Sequence, residues 1–175
     1  MKHFIIPALI LLLAAGCGST PDADQPPAAV ETRGGESDRI TTVDAGNMDS
    51  RGLPPELTDA KSILSKRSVY FDYDKFDIKP EFSSLVVAHA KFLTDNRRFR
   101  MLIQGNTDDR GSREYNLALG QKRADAVKQQ LLHLGAREEQ VEAVSLGEEK
   151  PRDPGQNEAA WAENRRADML YSGEF

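Results

Sequence analysis

The chain has 175 residues, 39% of them hydrophobic, with 23 Lys and Arg against 28 Asp and Glu for a formal charge of −5. That length suits one domain with an appendage, and the acidic balance excludes the basic face that non-specific nucleic-acid binding requires. A single cysteine excludes a disulfide framework and any multi-cysteine zinc or iron–sulfur site.

Lys2 precedes an apolar run, Phe4 to Ala15, interrupted only by Pro7. The run is too short to cross a bilayer as a helix. A positive start, a short apolar core and the small residues Ala14, Ala15 and Gly16 predict a secretory signal over residues 1–16. Cys17 follows directly, and the arrangement resembles a bacterial lipoprotein signal, in which the cysteine is lipidated and becomes the mature N-terminus. Such an anchor carries the two or more acyl chains that stable attachment needs. Gly18 stands where an Asp would resemble an inner-membrane retention signal, which favours the outer membrane. An ordinary signal peptide followed by a free thiol is the alternative.

Residues 17–58 read as the lipidated cysteine and an acidic linker. No aromatic residue occurs between Phe4 and Tyr70, and the stretch holds Pro21, Pro26, Pro27, Pro54, Pro55 and the pair Gly34-Gly35. From Gly18 to Glu56, 8 acids face 3 bases, whereas Leu57 to Phe175 is nearly balanced at 20 against 19. Such a segment cannot bury enough apolar surface to offset its ordering entropy, so it predicts a flexible, disordered tether.

The domain is expected from residue 59 to 175. Ser68-Val69-Tyr70-Phe71 is the first strand candidate. Pro80 is placed to open a helix, and Phe82, Leu85, Val86, His89, Phe92 and Leu93 follow at helical spacing. Phe99 to Gln104 reads as a second strand and Gly105 to Gly111 as a polar loop. Ser112 is the N-cap of a long helix ending at Gly135, with Leu117, Gly120, Ala124, Val127, Leu131 and Leu134 as its buried stripe. Gly120 within that stripe predicts a close approach. Val141 to Leu146 is a third strand, Gln156 to Glu163 a short helix and Arg166 to Ser172 a fourth strand. The order β-α-β-α-β-(α)-β predicts an α/β sandwich, with two main helices over one mixed sheet of about four strands.

Catalytic chemistry is poorly supplied. His3 leaves with the signal, His89 reads as a satisfied core histidine, and His133 as a solvated one. No nucleophile elbow, HExxH motif or phosphate-binding glycine loop occurs, so the chain reads as a binding module rather than an enzyme. Asp72 to Asp77 resembles a calcium loop only faintly, because the required Gly and Glu are absent. No metal and no cofactor is expected.

The informative stretch is Gly105-Asn106-Thr107-Asp108-Asp109-Arg110-Gly111 with the helix start Tyr115-Asn116 and Arg123. Asp108 lies in a loop that runs into a helix N-terminus, where free N–H groups and the dipole suit a carboxylate. Arg123 lies beside the buried stripe, half sheltered, and could clamp that carboxylate while Asp108 takes an ammonium. These residues therefore suit a zwitterionic ligand. A plain Asp108–Arg123 salt bridge that fixes the loop fits the spacing equally well.

Four ordered segments carry a resemblance: Val69-Tyr70-Phe71-Asp72-Tyr73-Asp74, the Gly105 to Gly111 loop, Tyr115-Asn116 through Arg123-Ala124, and Asn164-Arg165-Arg166. From about Ser68 to Tyr171 the chain resembles the OmpA-like C-terminal peptidoglycan-binding domains. With its signal and tether it is similar to the outer-membrane lipoproteins of that family. The resemblance implies non-covalent binding of the diaminopimelate-containing stem peptide of peptidoglycan. It matches Asp108 and Arg123 to the residues holding the diaminopimelate ammonium and carboxylate, and Asn116, Phe71, Asp72 and Arg165 to others at the pocket. It also implies an outer-membrane lipid anchor with the domain facing the periplasm, and a partner, TolB, with other proteins of the Tol system that serves envelope integrity and cell division. Asn106 stands where the family usually has His. An OmpA-like lipoprotein outside the Tol system, and a periplasmic cell-wall enzyme, are the alternatives.

Overall fold

The computed structural model describes residues 48–175. The signal, Cys17 and the linker as far as Asn47 lie outside the described residues.

In chain order the elements are α1 (Pro55–Thr58), β1 (Ser68–Tyr70), α2 (Ser83–Asp95), β2 (Met101–Asn106), α3 (Arg113–His133), β3 (Val141–Gly147), α4 (Glu158–Asn164) and β4 (Arg166–Tyr171). The four strands form one sheet in the order β1-β4-β2-β3. β2 and β3 are parallel and joined through α3, while β4 runs antiparallel to both β1 and β2. This is the mixed four-stranded α/β arrangement expected.

Register decides which side chains share a face. Val69 pairs with Ala167, Met169 with Ile103, and Met101 with both Tyr171 and Val141. All of these are buried, and they form one core with Leu85, Val86, Ala90, Phe92 and Leu93 of α2 and Ala124, Val127 and Leu131 of α3. Both long helices therefore cover the same face of the sheet. At roughly 1.5–3 kcal/mol for each fully buried large apolar side chain, this layer is the main source of stability.

Local chemistry explains the helix ends. The Ser112 hydroxyl accepts from the Tyr115 N–H at 3.2 Å, which caps α3. At the other end Gly135 takes a φ of 100°. Its N–H donates to Leu132 at 3.0 Å and that of Ala136 to Leu131 at 3.1 Å, a Schellman ending that needs glycine at this position. The close approach expected at Gly120 is present, because a methyl on Gly105 would overlap the Gly120 carbonyl oxygen.

Several expectations are corrected. The packed chain begins before residue 59, since Leu53 and Leu57 are buried in the core and Met48 packs against it. Pro54 and Pro55, which resemble a linker in composition, instead lead into the single turn of α1, with Pro at its first position. Pro80 opens a 3-10 turn, and α2 starts only at Ser83. Leu117 and Leu134 are exposed, and the α3 stripe instead buries Asn116, Leu119 and Arg123. Gly105 and Asn106 belong to β2 rather than to the loop.

Candidate functional site

β1, β2 and β3 point the same way and β4 points against them. The C-terminal ends of three strands and the N-terminal end of β4 therefore meet at one edge of the sheet. Segments 71–79, 107–112, 148–157 and 164–165 leave from that edge and form a crown. Open α/β sheets bind ligands beyond the carboxyl ends of their strands. Phe71, Asp72, Asp108, Asn116, Arg123 and Arg165 all lie in or beside this crown.

Arg123 is 0% exposed, so it is buried outright rather than half sheltered. Its Nε donates to the Lys75 carbonyl at 2.9 Å, Nη1 to Asn106 at 2.8 Å and Nη2 to Asp72 at 3.2 Å. The guanidinium lies 5.3 Å from the centroid of the Phe71 ring. Arg123 thus ties the exits of β1 and β2 to α3. Burial lowers its pKa to about 10, against the raising field of Asp108, and it remains a cation at neutral pH. Among the described residues its polar partners are backbone carbonyls, with no carboxylate in ion-pair range. Three of its five N–H groups are used in this way.

Asp108 is 4% exposed. The expected alternative, a salt bridge to Arg123, is not formed. Oδ2 accepts instead from Arg110 Nη2 at 2.6 Å and from Arg165 Nη1 at 3.3 Å. Arg165 also donates from Nε to the Phe71 carbonyl at 3.2 Å and from Nη2 to Glu158 at 2.7 Å. The Phe71 N–H in turn donates to the Arg165 carbonyl at 2.9 Å, which locks the end of β1 to the start of β4. Phe71 is buried. The Asp72 side chain is 69% exposed and pairs with Lys79 at 3.3 Å.

Asn116 is buried and donates from Nδ2 to Glu148, which joins the start of α3 to the β3 exit. Its Oδ1 has no hydrogen-bond partner, and neither have Asn106 Oδ1 and Thr107 Oγ1. Buried polar atoms are seldom left so, and three at the β2 exit and the α3 start mark a place where a ligand can add bonds. Asn106 turns its amide back to the Gln104 carbonyl at 3.0 Å, beside a register slip between β2 and β3.

Beside Asp108 opens a cleft of about 150 Å³, lined by Tyr73, Asp74, Asp108, Arg110, Gly111, Tyr115 and Leu119; Phe71, Asp72, Asn116, Arg123 and Arg165 do not line it. It is small enough to take only the polar end of a ligand. Tyr115 is held by its hydroxyl to Asp74, a residue at φ 57° that Asp tolerates better than most. Two larger clefts lie along α2 and are lined by none of Phe71, Asp72, Asp108, Asn116, Arg123 and Arg165. Among the described residues no group of three or more His, Cys, Asp or Glu side chains converges to hold a metal ion.

The residue missed in the sequence is Arg110. Its guanidinium stacks between the rings of Tyr73 and Trp161, 4.2 Å from each centroid. It pairs with Asp108 at 2.6 Å and with Glu158 at 3.6 Å. The signals available were its place two residues after Asp108 and the lone tryptophan of the chain.

The pattern of the OmpA family matches residues 70–165. The peptidoglycan-associated lipoprotein of Pasteurella multocida is 49% identical over 104 residues, covering 59% of this chain and 69% of that protein. The protein of the same name from Pseudomonas putida is 38% identical over 163 residues, 93% of this chain and 92% of its own. The crystal structure of the peptidoglycan-associated lipoprotein from Burkholderia pseudomallei is 53% identical with a TM-score of 0.66, covering 66% of this chain and 98% of that one.

Proposed function

The chain belongs to the OmpA family, and from that premise we propose that its crown binds the diaminopimelate-containing stem peptide of peptidoglycan without covalent chemistry. The observation that carries the reading is Arg123, a fully buried cation whose partners are all carbonyls, in the same crown as a buried carboxylate, Asp108. A buried cation with no carboxylate in ion-pair range is costly, and an incoming carboxylate relieves it. Asp108 supplies the complementary site for an ammonium. Asn116 Oδ1 and Thr107 Oγ1 add acceptors that lack partners within the protein. Binding at both charges selects a zwitterion, which is what the side-chain end of diaminopimelate presents.

The same reading makes the protein a link between membrane and wall. Lipidation at Cys17 anchors it to the outer membrane, and the acidic segment that follows gives the domain its reach to the wall. TolB and the Tol system are the partners that the family resemblance assigns to it. The naming of the similar proteins as peptidoglycan-associated lipoproteins supports the wall and the anchor.

Calorimetry with a diaminopimelate stem peptide tests the site. Asp108→Asn is expected to weaken binding at least tenfold, since truncating one partner of a buried charge pair costs about 2–5 kcal/mol. A stem peptide with Lys in place of diaminopimelate lacks the second carboxylate and should bind weakly to the unaltered protein. Equal binding of the Lys-type peptide would remove Arg123 from the recognition. Failure of the protein to sediment with purified sacculi would remove the reading altogether.

A further inference from the structure

Resting on that reading of the cleft, we propose that Arg110 is an internal stand-in for the ligand's ammonium group, seated on Asp108 and displaced when the ligand binds. Four observations meet at this residue. Its Nη2 holds Asp108 Oδ2 at 2.6 Å, the shorter of the two guanidinium contacts to that carboxylate. Its side chain is 30% exposed whereas that of Arg165, the other partner, is 7% exposed, so Arg110 is the partner able to leave. It lines the cleft itself and fills the approach to Asp108, which is nearly closed to solvent. Its Nε is buried without a partner, so the seated pose is incompletely satisfied.

The stack explains why the cation waits there. Tyr73 and Trp161 face the guanidinium from two sides at 4.2 Å, and each contributes attraction of the kind aromatic rings offer to cations. Glu158, at 3.6 Å, adds a weaker pull on Nη1. The free protein therefore gives Asp108 a second cation beside Arg165, at the shorter distance. Only a ligand that replaces that charge can take the seat, so neutral peptide ends are rejected. This is selectivity by an internal competitor. Its cost is affinity: apparent binding is reduced by the fraction of molecules in which the seat is vacant.

Calorimetry with a diaminopimelate-containing stem tripeptide, run on the folded protein, decides the matter. If the seat is vacant in about one molecule in ten, Arg110→Gln should bind on the order of tenfold more tightly than the unaltered protein. Arg110→Lys, which keeps the charge and loses the planar stack, should fall between them. On adding peptide to the unaltered protein, Trp161 fluorescence should change as the guanidinium leaves its face, and in Arg110→Gln that change should vanish. Weaker or unchanged binding by Arg110→Gln overturns the proposal and makes Arg110 a direct ligand contact or a bystander, while binding by the unaltered protein keeps the stem-peptide reading intact. Absence of binding to either protein overturns both.

Discussion

Polar groups are buried at both ends of the sheet, and the two ends treat them differently. At the base, where β2 begins and β4 ends, His89 and Gln140 are satisfied within the protein. His89 faces the Tyr171 hydroxyl at 2.8 Å and the Lys66 carbonyl at 2.9 Å. The carbonyl can only accept, so Nε2 carries the proton and Nδ1 accepts from Tyr171. Gln140 donates to the carbonyls of Leu93 at 2.9 Å and Phe99 at 3.1 Å. Around them Phe92, Phe99 and Tyr171 pack edge to face or tilted, with centroids 5.2–6.3 Å apart. At the crown, Asn106, Thr107, Asn116, Arg110 and Trp161 each leave a buried polar atom without a partner, and Arg123 brings a charge with no carboxylate in ion-pair range among the described residues. The base leaves one such atom, Arg67 Nη1, beside the Tyr171 ring, against five at the crown. Stability and binding are thereby assigned to opposite ends of one small sheet.

The largest effect expected from this contrast is at the base. Tyr171→Ala should destabilise the domain by about 4 kcal/mol, from the lost ring volume and the orphaned His89. Stem-peptide affinity, measured at low temperature on the folded fraction, should stay as it was. A parallel loss of affinity would mean that the two ends are coupled and would break the comparison.

A smaller effect, also at the base, comes from acid. Burial lowers the His89 pKa from 6.5 to about 4, the Lys66 hydrogen bond opposes the shift, and the Arg67 charge adds to it. The unfolded chain then binds the proton more readily than the folded one between those two values. The stability His89 contributes is complete above pH 6.5, falls as pH drops towards 4, and amounts to roughly 3 kcal/mol over that window. Thermal melts across the range should show the slope, and His89→Gln should flatten it. An unchanged slope in that variant would assign the acid sensitivity to other groups.

The smallest change in stability is expected at the crown. Asn116→Ala removes an amide that is only half satisfied, so the melting midpoint should move by no more than about 1 kcal/mol equivalent. Stem-peptide affinity should nevertheless fall several-fold. A large loss of stability would show that the crown is held together by Asn116 and Glu148 rather than left open for a ligand.

The base and its helices were legible in the sequence because apolar periodicity carries them. The spacing of Leu85, Val86, His89, Phe92 and Leu93 marks the buried face of α2, and Ser112 marks the start of α3. The crown was legible only as a cluster of polar residues in a loop beside a helix start. Spacing cannot reveal which acid pairs with which base, so it offers Asp108 to Arg123, whereas in the fold its partners are Arg110 and Arg165. Backbone carbonyls leave no mark in a sequence, and they are what hold Arg123. Leu53 and Leu57 went unrecognised for another reason: two isolated leucines flanking a proline pair have no period to read.

The strand order has a consequence for how the domain comes together. β4 follows the other strands in the chain, yet it lies between β1 and β2 and is, among the described residues, the sole sheet neighbour of β1. The Ser68–Asp168 hydrogen bond closes a separation of 100 residues. β2, α3 and β3 can assemble as a local unit, while β1 has no edge to join until β4 is in place. A chain emerging from a ribosome or a translocation pore must therefore hold β1 and Phe71 unpaired through most of its length. Contacts of such long range slow folding, and here they also delay the crown: Arg165 reaches Phe71 and Asp108 only once the start of β4 has docked, so the complete site is among the final parts of the molecule to form.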